Sequence, residues 1–192
     1  MDPSTEAAVR EKARQYLRVK GSEAPASAVV AGVAAAFAAL EALFDAAPPD
    51  LVRRRAWETE WTIQEIADHV LETHRPGLDE LRCLLAGQSP PGDPIPAGLR
   101  SKAPHLRPWP WLLRELKELH ADVLTELRAA QPDFETAARA GLVMVANATD
   151  ERGARVVLEW VEELDWKAYA ITWRLHAIDH LHQARKVLAA VR

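Results

Sequence analysis

The amino-acid sequence predicts a mainly α-helical protein, an up-and-down four-helix bundle with an extra N-terminal helix and a possible small β-hairpin. Four segments carry apolar residues at alternating steps of four and three, which is the period of an amphipathic helix. At 192 residues with 48% hydrophobic content, the chain is long enough to bury one core. Four such helices bury their apolar stripes against one another. We therefore expect an N-terminal arm, residues 1–24, and one bundle domain, residues 25–192.

The first two helical segments differ in character. Residues 5–20 predict a short polar helix that lies on the body as an arm. A long apolar helix is expected from Ser27 to Ala47, with Pro48 and Pro49 ending it. Its predicted buried stripe consists of Val29, Val33, Phe37, Leu40 and Phe44.

The second long helix is predicted to begin at Thr62, because Thr62 and Glu65 have the spacing of a capping box. Its stripe consists of Ile66, His69, Val70 and Thr73. His69 thus occupies an interior position. Leu78, Leu81 and Leu85 extend the same pattern. Pro76 predicts a kink or a break, and Gly87 predicts the end of the helix.

Residues 88–110 contain seven of the thirteen prolines and show no apolar period, which predicts a long ordered loop or a mobile flap. Trp109 and Trp111 at its end are candidates for capping a pocket, with core packing as the commoner role. Pro110 suits the first turn of a third helix. The stripe of this helix is Leu112, Leu116, Leu119, Val123 and Leu127.

Residues 141–162 predict a β-hairpin, since valines alternate with smaller or polar neighbours, although short runs of this kind can also be helical. The last helix is expected from Asp165 to Val191. One of its faces carries Tyr169, Trp173, His176, His180, Gln183 and Val187. A second apolar face, formed by Leu175, Ile178 and Leu188, indicates either a further packing partner or a homodimer interface.

The strongest functional signal is the pair His176 and His180, four residues apart on this helix. That spacing places both imidazoles on one face, about 5–6 Å apart at Cβ, where they can share a divalent transition metal. His69 is the expected third ligand. The alternative is that each histidine hydrogen-bonds a carbonyl or a carboxylate. Three interior histidines on two helices favour the metal, because an apolar core offers them few polar partners.

Other polar residues near these positions are candidates for supporting roles. Glu65 and Asp179 could each orient a ligand imidazole, and Gln183 shares the face of His180. Glu65 could also bind the metal, but its place in the capping box makes a structural role more common. Of the other histidines, His182 is expected at the surface, His74 is a weaker candidate, and His105 and His120 have no partner at ligand spacing.

Composition excludes several classes of protein. The net charge of −4 and pI near 6.0 give no attraction to nucleic acid or to an anionic membrane. Cys83 is the single cysteine, so no internal disulfide forms, and a reduced, cytoplasmic location is expected. We expect no membrane-spanning segment and no signal peptide. The chain contains no phosphate-binding glycine loop, nucleophile elbow or dinucleotide fingerprint.

Two motifs resemble a known family. Trp61-Thr-Ile-Gln-Glu-Ile-Ala-Asp-His69 resembles the Trp-Ser-x-x-Glu-(x)₃-His opening of the second helix in the DinB/YfiT-like superfamily. His176-(x)₃-His180-(x)₂-Gln183 resembles its closing His-(x)₃-His-x-Gly-Gln motif, with His182 in place of the glycine. The resemblance covers about residues 25–190. It implies a four-helix bundle, commonly dimeric, in which His69, His176 and His180 bind a divalent metal such as zinc or nickel.

The same resemblance implies thiol S-transferase, thiol-dependent isomerase or hydrolase activity. We expect a metal-dependent protein that activates a low-molecular-weight thiol, or water, for attack on a small electrophilic substrate. One alternative is a non-catalytic small-molecule-binding or stress-response protein whose histidines are structural. Another is an interaction module that uses the second face of the last helix.

Overall fold

The computed structural model describes residues 3–131, 133–150 and 152–192. These residues form five α-helices and one two-stranded antiparallel sheet, so the predicted mainly helical class is confirmed. The helices are α1 (Pro3–Leu17), α2 (Ala26–Asp45), α3 (Ile63–Leu85), α4 (Trp109–Ala129) and α5 (Trp166–Val191). The strands are β1 (Ala140–Thr149) and β2 (Arg155–Leu164).

Helices α2 to α5 enclose the main apolar core. Helix α2 packs on α4 and α5, and α3 packs on the same two helices. The predicted stripe of α2 is buried throughout, since Val29, Val33, Phe37, Leu40 and Phe44 are at most 1% exposed. Helix α3 begins at the predicted capping box and continues without a break through Pro76 to Leu85.

Helix α2 is also long and apolar enough to cross a membrane, by length and composition alone. This differs from the expectation that no segment of the chain would meet that criterion. Interior helices of folded domains pass the same test, so the finding is weak evidence about a membrane. In this fold the stripe of α2 packs against the other helices of the core.

Helix α1 and the hairpin form a second, smaller apolar cluster. Its members are Ala148, Leu158 and Trp160 of the hairpin with Val9 and Ala13 of α1. The Arg14 guanidinium lies 2.9 Å from the Glu162 carboxylate, which adds an ion pair between the two elements. The hairpin is therefore present where it was predicted, and α1 lies against it.

The chain passes from α1 towards α2 through a π-helical turn, Arg18–Ser22, that packs on α5. Gly21 permits this close approach, because a Cβ at this position would lie 2.5 Å from the Cα of Ala168. The second apolar face predicted for the last helix also has partners within the chain. Leu188 is buried, and Leu175 and Ile178 pack partly buried against the core.

The proline-rich loop lies along α3 and is held there by buried polar groups. The Asp68 carboxylate accepts hydrogen bonds from the amide of Ser101 at 2.8 Å, from its hydroxyl at 2.7 Å and from Arg107 at 3.1 Å. The Gln64 amide donates to the carbonyls of Pro104 and Arg107, both at 2.8 Å. Of the two predicted alternatives, the ordered loop matches this anchoring.

The two tryptophans at the end of the loop have different surroundings. Trp109 is 8% exposed and meets the Phe44 ring edge-on at a centroid distance of 5.8 Å. Trp111 is half-buried, with the Arg107 guanidinium 5.4 Å from its ring. Trp109 therefore packs in the core.

Candidate metal centre

Three histidines meet where α3 packs on α5. His69 lies on α3, and His176 and His180 lie one turn apart on α5. The Nε2 atom of His176 is 2.9 Å from Nε2 of His69 and 3.0 Å from Nε2 of His180. All three potential ligand atoms lie within 4.8 Å of one another. The structure thus brings together the three residues that the sequence proposes as metal ligands.

The hydrogen bonds at the other ring nitrogens assign the tautomers of two of these imidazoles. Nδ1 of His69 lies 2.8 Å from the carbonyl oxygen of Leu99, and Nδ1 of His180 lies 2.9 Å from Oε1 of Gln183. Both oxygens only accept hydrogen bonds, so both Nδ1 atoms donate. In a neutral imidazole the remaining nitrogen then carries a lone pair. Nε2 of His69 and Nε2 of His180 are therefore free to bind a cation.

The protonation states match this assignment. Burial lowers the pKa of His69, lowers that of His180 to about 4, and holds that of His176 well below its usual value. All three rings are consequently neutral near pH 7. Nε2 of His176 lies within 3.0 Å of both Nε2 of His69 and Nε2 of His180, and two lone pairs this close repel one another unless a proton or another cation lies between them.

Two of the three nitrogen–nitrogen distances suit a transition metal. Two nitrogens bound to one ion at 2.0–2.1 Å lie about 2.9 Å apart at a right angle and about 3.3 Å apart at the tetrahedral angle. The distances of 2.9 and 3.0 Å from His176 to its two neighbours lie at the lower end of that range. Neutral imidazoles are common ligands of zinc and nickel. The donor set therefore fits a divalent transition metal.

An aromatic ring and a cation border the three histidines. The Trp61 ring lies 4.8 Å from the His69 ring and runs nearly parallel to the His180 ring at 6.1 Å. The Arg100 guanidinium sits 4.6 Å from the Trp61 ring. Because His180 is only half-buried, solvent reaches this side of the centre.

The residues predicted to orient the ligands differ in what they contact. Gln183 contacts His180 directly, as described above. The Glu65 carboxylate instead accepts from the Thr62 amide at 2.7 Å, and both of its oxygens accept from Nη2 of Arg55, at 2.9 and 3.0 Å. Asp179 lies at an exposed position of α5. The ring nitrogens of the three histidines contact the Leu99 carbonyl, Gln183 and His74.

The electrostatics of Glu65 agree with its structural role. Burial raises the pKa of the Glu65 carboxyl, but the hydrogen bonds from the Thr62 amide and the Arg55 guanidinium outweigh that effect. The net result is a pKa below the usual value. Glu65 thus serves the capping box, the role that was considered the commoner one.

Sequence reasoning missed two interior histidines. His74, ranked as a weaker candidate, and His120, given no role, are each 1% exposed. Nε2 of His74 lies 2.9 Å from Nδ1 of His176, and Nδ1 of His74 lies 3.3 Å from Nε2 of His120. A signal for His120 was present, because it stands four residues after Leu116 and three before Val123 on the stripe of α4.

Comparisons of the whole chain with protein-family models, with curated proteins and with solved structures gave no significant match.

Proposed function

We propose that this chain is a DinB-like protein that binds a divalent transition metal, zinc or nickel, through His69, His176 and His180. We further propose that it is a metal-dependent transferase, acting on a small electrophilic substrate with a low-molecular-weight thiol or with water. The observation that carries the proposal is the convergence of three histidines, each of which offers one ligand nitrogen within 4.8 Å of the other two. The two motifs around these histidines support the same assignment.

An up-and-down four-helix bundle of α2 to α5 is part of the proposal. Each of α2 and α3 packs on both α4 and α5, which is the set of contacts that a closed bundle requires. In such bundles, metal sites form in the core from side chains on facing helices. Homodimerisation, which the resemblance implies, is also proposed and can be read from sedimentation equilibrium.

The chemistry follows from the ligand set. His69, His176 and His180 would hold a divalent metal, which would supply the Lewis acidity that lowers the pKa of a thiol or of water. In thiol transfer a sulfur–carbon bond forms, the bond from that carbon to the leaving group breaks with its electron pair, and the thiol proton passes to solvent. Thiol transfer is favoured over hydrolysis by the family resemblance alone.

The residues around the centre have distinct tasks in this proposal. The Leu99 carbonyl and Gln183 hold two of the imidazoles in the orientation that leaves Nε2 free. Arg100 is the candidate for attracting an anionic group of the substrate. Its distance to the nearest Glu65 oxygen is 3.8 Å, whereas Arg55 pairs with that carboxylate at 2.9 Å. The Glu65 charge is thus largely matched without Arg100.

Metal binding is tested on protein purified without an affinity tag. We expect one equivalent of zinc or nickel per chain by elemental analysis, and a loss of at least about tenfold in affinity for His176→Ala and for His180→Ala. His182→Ala is the matched control, because this histidine lies exposed on the same helix. Stoichiometric metal retained by His176→Ala would contradict the assignment.

Catalysis is tested separately from binding. Conjugation of glutathione, cysteine or another small thiol to monobromobimane is followed with the metal-loaded protein, with chelator-treated protein and with His180→Ala. We expect acceleration by the loaded protein alone. A loaded protein that accelerates neither this reaction nor ester hydrolysis, yet binds metal tightly, would favour a non-catalytic binding protein.

A further inference from the structure

A row of hydrogen-bonded side chains leads from His176 across the helical core to the opposite side. Each of the four core helices contributes one member: His176 from α5, His74 from α3, His120 from α4 and Glu41 from α2. The successive contacts measure 2.9, 3.3 and 2.6 Å. The row ends at the Glu41 carboxylate, whose side chain is 24% exposed.

The Glu41 carboxylate determines which nitrogen donates and which accepts in each hydrogen bond of the row. A carboxylate accepts hydrogen bonds, so Nδ1 of His120 donates to Glu41 and Nε2 of His120 is left as an acceptor. Nδ1 of His74 can then donate to His120, and Nε2 of His74 accepts from Nδ1 of His176. The last consequence is that Nε2 of His176, which lies 2.9 Å from Nε2 of His69 and 3.0 Å from Nε2 of His180, carries a lone pair.

Burial of these polar side chains destabilises the fold unless each of them has a hydrogen-bond partner. His74 and His120 are each 1% exposed, and Phe37 stacks on the His120 ring at 3.7 Å. A buried polar side chain without a hydrogen-bond partner destabilises the folded state. Burial lowers the pKa of His120 and outweighs the opposite effect of Glu41, so this ring is neutral near pH 7. Nδ1 of His120 therefore donates to Glu41, and Nε2 of His120 accepts from His74.

We propose that His74, His120 and Glu41 are positioning residues of the metal centre, which fix the tautomer of His176 and place a compensating negative charge at the far end of the row. This inference rests on the proposed metal site. Groups that hydrogen-bond the second nitrogen of a ligand histidine orient the ring and make it a stronger donor. A carboxylate at the end of a histidine row extends that effect over two more rings.

A purely structural role makes a different prediction. If the row only satisfies buried polar groups, substitutions in it lower the stability of the metal-free protein and leave the affinity of the remaining folded protein for metal unchanged. If it positions His176, metal affinity falls even where stability is retained. The two roles are thus separable by measuring both quantities on one set of variants.

The variants are Glu41→Gln, which removes the charge and keeps the shape, and Glu41→Ala, which also removes the acceptor. Glu118→Gln is the matched control, because Glu118 lies on α4 with a side chain that is 66% exposed. Zinc affinity is measured by competition with a chromophoric chelator, and stability by urea unfolding without metal. We expect about tenfold weaker zinc binding for Glu41→Gln, a larger loss for Glu41→Ala and no change for the control.

Nitrogen-15 NMR of the histidine rings supplies a readout that needs neither metal nor activity. We expect the Nδ1–H tautomer for His74, His120 and His176 in the metal-free protein, and a change at His120 in Glu41→Ala. An Nε2–H tautomer at His74 or His120, or unchanged zinc affinity in both Glu41 variants, would overturn the inference. A wild-type protein that binds no zinc would overturn the proposed function as well, so the two failures are distinguishable.

Discussion

Nδ1 of His69 donates a hydrogen bond to the backbone carbonyl of Leu99 at 2.8 Å, so a candidate metal ligand on α3 takes its orientation from the loop that crosses this helix. The neighbouring residue on α3, Asp68, holds the same loop through Ser101 and Arg107. One turn of α3 therefore both carries a ligand and anchors the segment that orients it.

This relationship predicts that Asp68→Ala weakens the metal centre without touching a ligand. Removing the fully buried carboxylate leaves the Ser101 amide and hydroxyl without their acceptor and Arg107 with Glu72 alone, and it releases the Leu99 carbonyl. We expect about tenfold weaker zinc binding and a free energy of unfolding lower by about 3 kcal/mol. Chelator competition and urea unfolding measure the two effects. Asp93→Ala, at an exposed position of the same loop, should change neither, and unaltered zinc affinity in Asp68→Ala would contradict the coupling.

Trp61 should report metal binding by fluorescence. Its ring lies 4.8 Å from the His69 ring and 6.1 Å from the His180 ring. Both distances fall within the range over which a paramagnetic ion quenches indole emission. We expect nickel to quench part of the emission of the wild-type chain, and Trp61→Phe to lose most of that quenching. Trp57→Phe, which replaces an exposed tryptophan near Lys186, should retain it. Equal quenching in both variants would place the bound nickel away from the three histidines.

Regular periodicity accounts for what the sequence predicts well. The stripes of α2 and α4 and the shared face of His176 and His180 follow from helix geometry, which acts over three or four residues. The capping box at Thr62 is local in the same way. Such signals need no knowledge of the tertiary structure.

Contacts between distant segments were less predictable. Leu99 contributes only a backbone carbonyl, and it lies 30 residues from His69 in a loop without period, so no side-chain pattern indicates it. His74 is a weaker candidate in the sequence because it stands five residues after His69, and its partners, His176 and His120, lie on two other helices. Glu41 gave a weak signal, four residues after Phe37 and three before Phe44 on the α2 stripe. The side chains of His74, His176, His120 and Glu41 come into contact only when the four helices pack together.

The N-terminal segment should be stabilised by the close packing of its π-helical turn on α5. An alanine Cβ at residue 21 would lie 2.5 Å from the Cα of Ala168, a backbone atom that cannot move away cheaply. We expect Gly21→Ala to lower the free energy of unfolding by about 1–3 kcal/mol. Gly98→Ala is the control, because no atom lies within 4 Å of its added Cβ. Equal stability of the two variants in urea would contradict the close approach.

The metal-free protein should lose stability steeply below about pH 6.5, because burial lowers the pKa of five histidines in the folded state. These residues are His69, His74, His120, His176 and His180. Above pH 6.5, the usual pKa, they are neutral in both states and contribute no pH dependence. Below it the unfolded chain binds protons that the folded chain excludes, so the free energy of unfolding falls.

For His180 this loss continues until the pH reaches its folded pKa of about 4. Each histidine contributes a slope of up to about 1.4 kcal/mol per pH unit within its window. Urea unfolding in the presence of chelator at pH 7.5, 6.5, 5.8 and 5.2 measures how steeply the free energy of unfolding changes with pH. These pH values lie above the usual titration range of carboxylates. His180→Ala should reduce that slope by the contribution of one proton, whereas His182→Ala, at an exposed position of the same helix, should leave it unchanged. A free energy of unfolding that stays constant from pH 7.5 to 5.2 would mean that the interior histidines accept protons in the folded state, where a metal would then have to displace them.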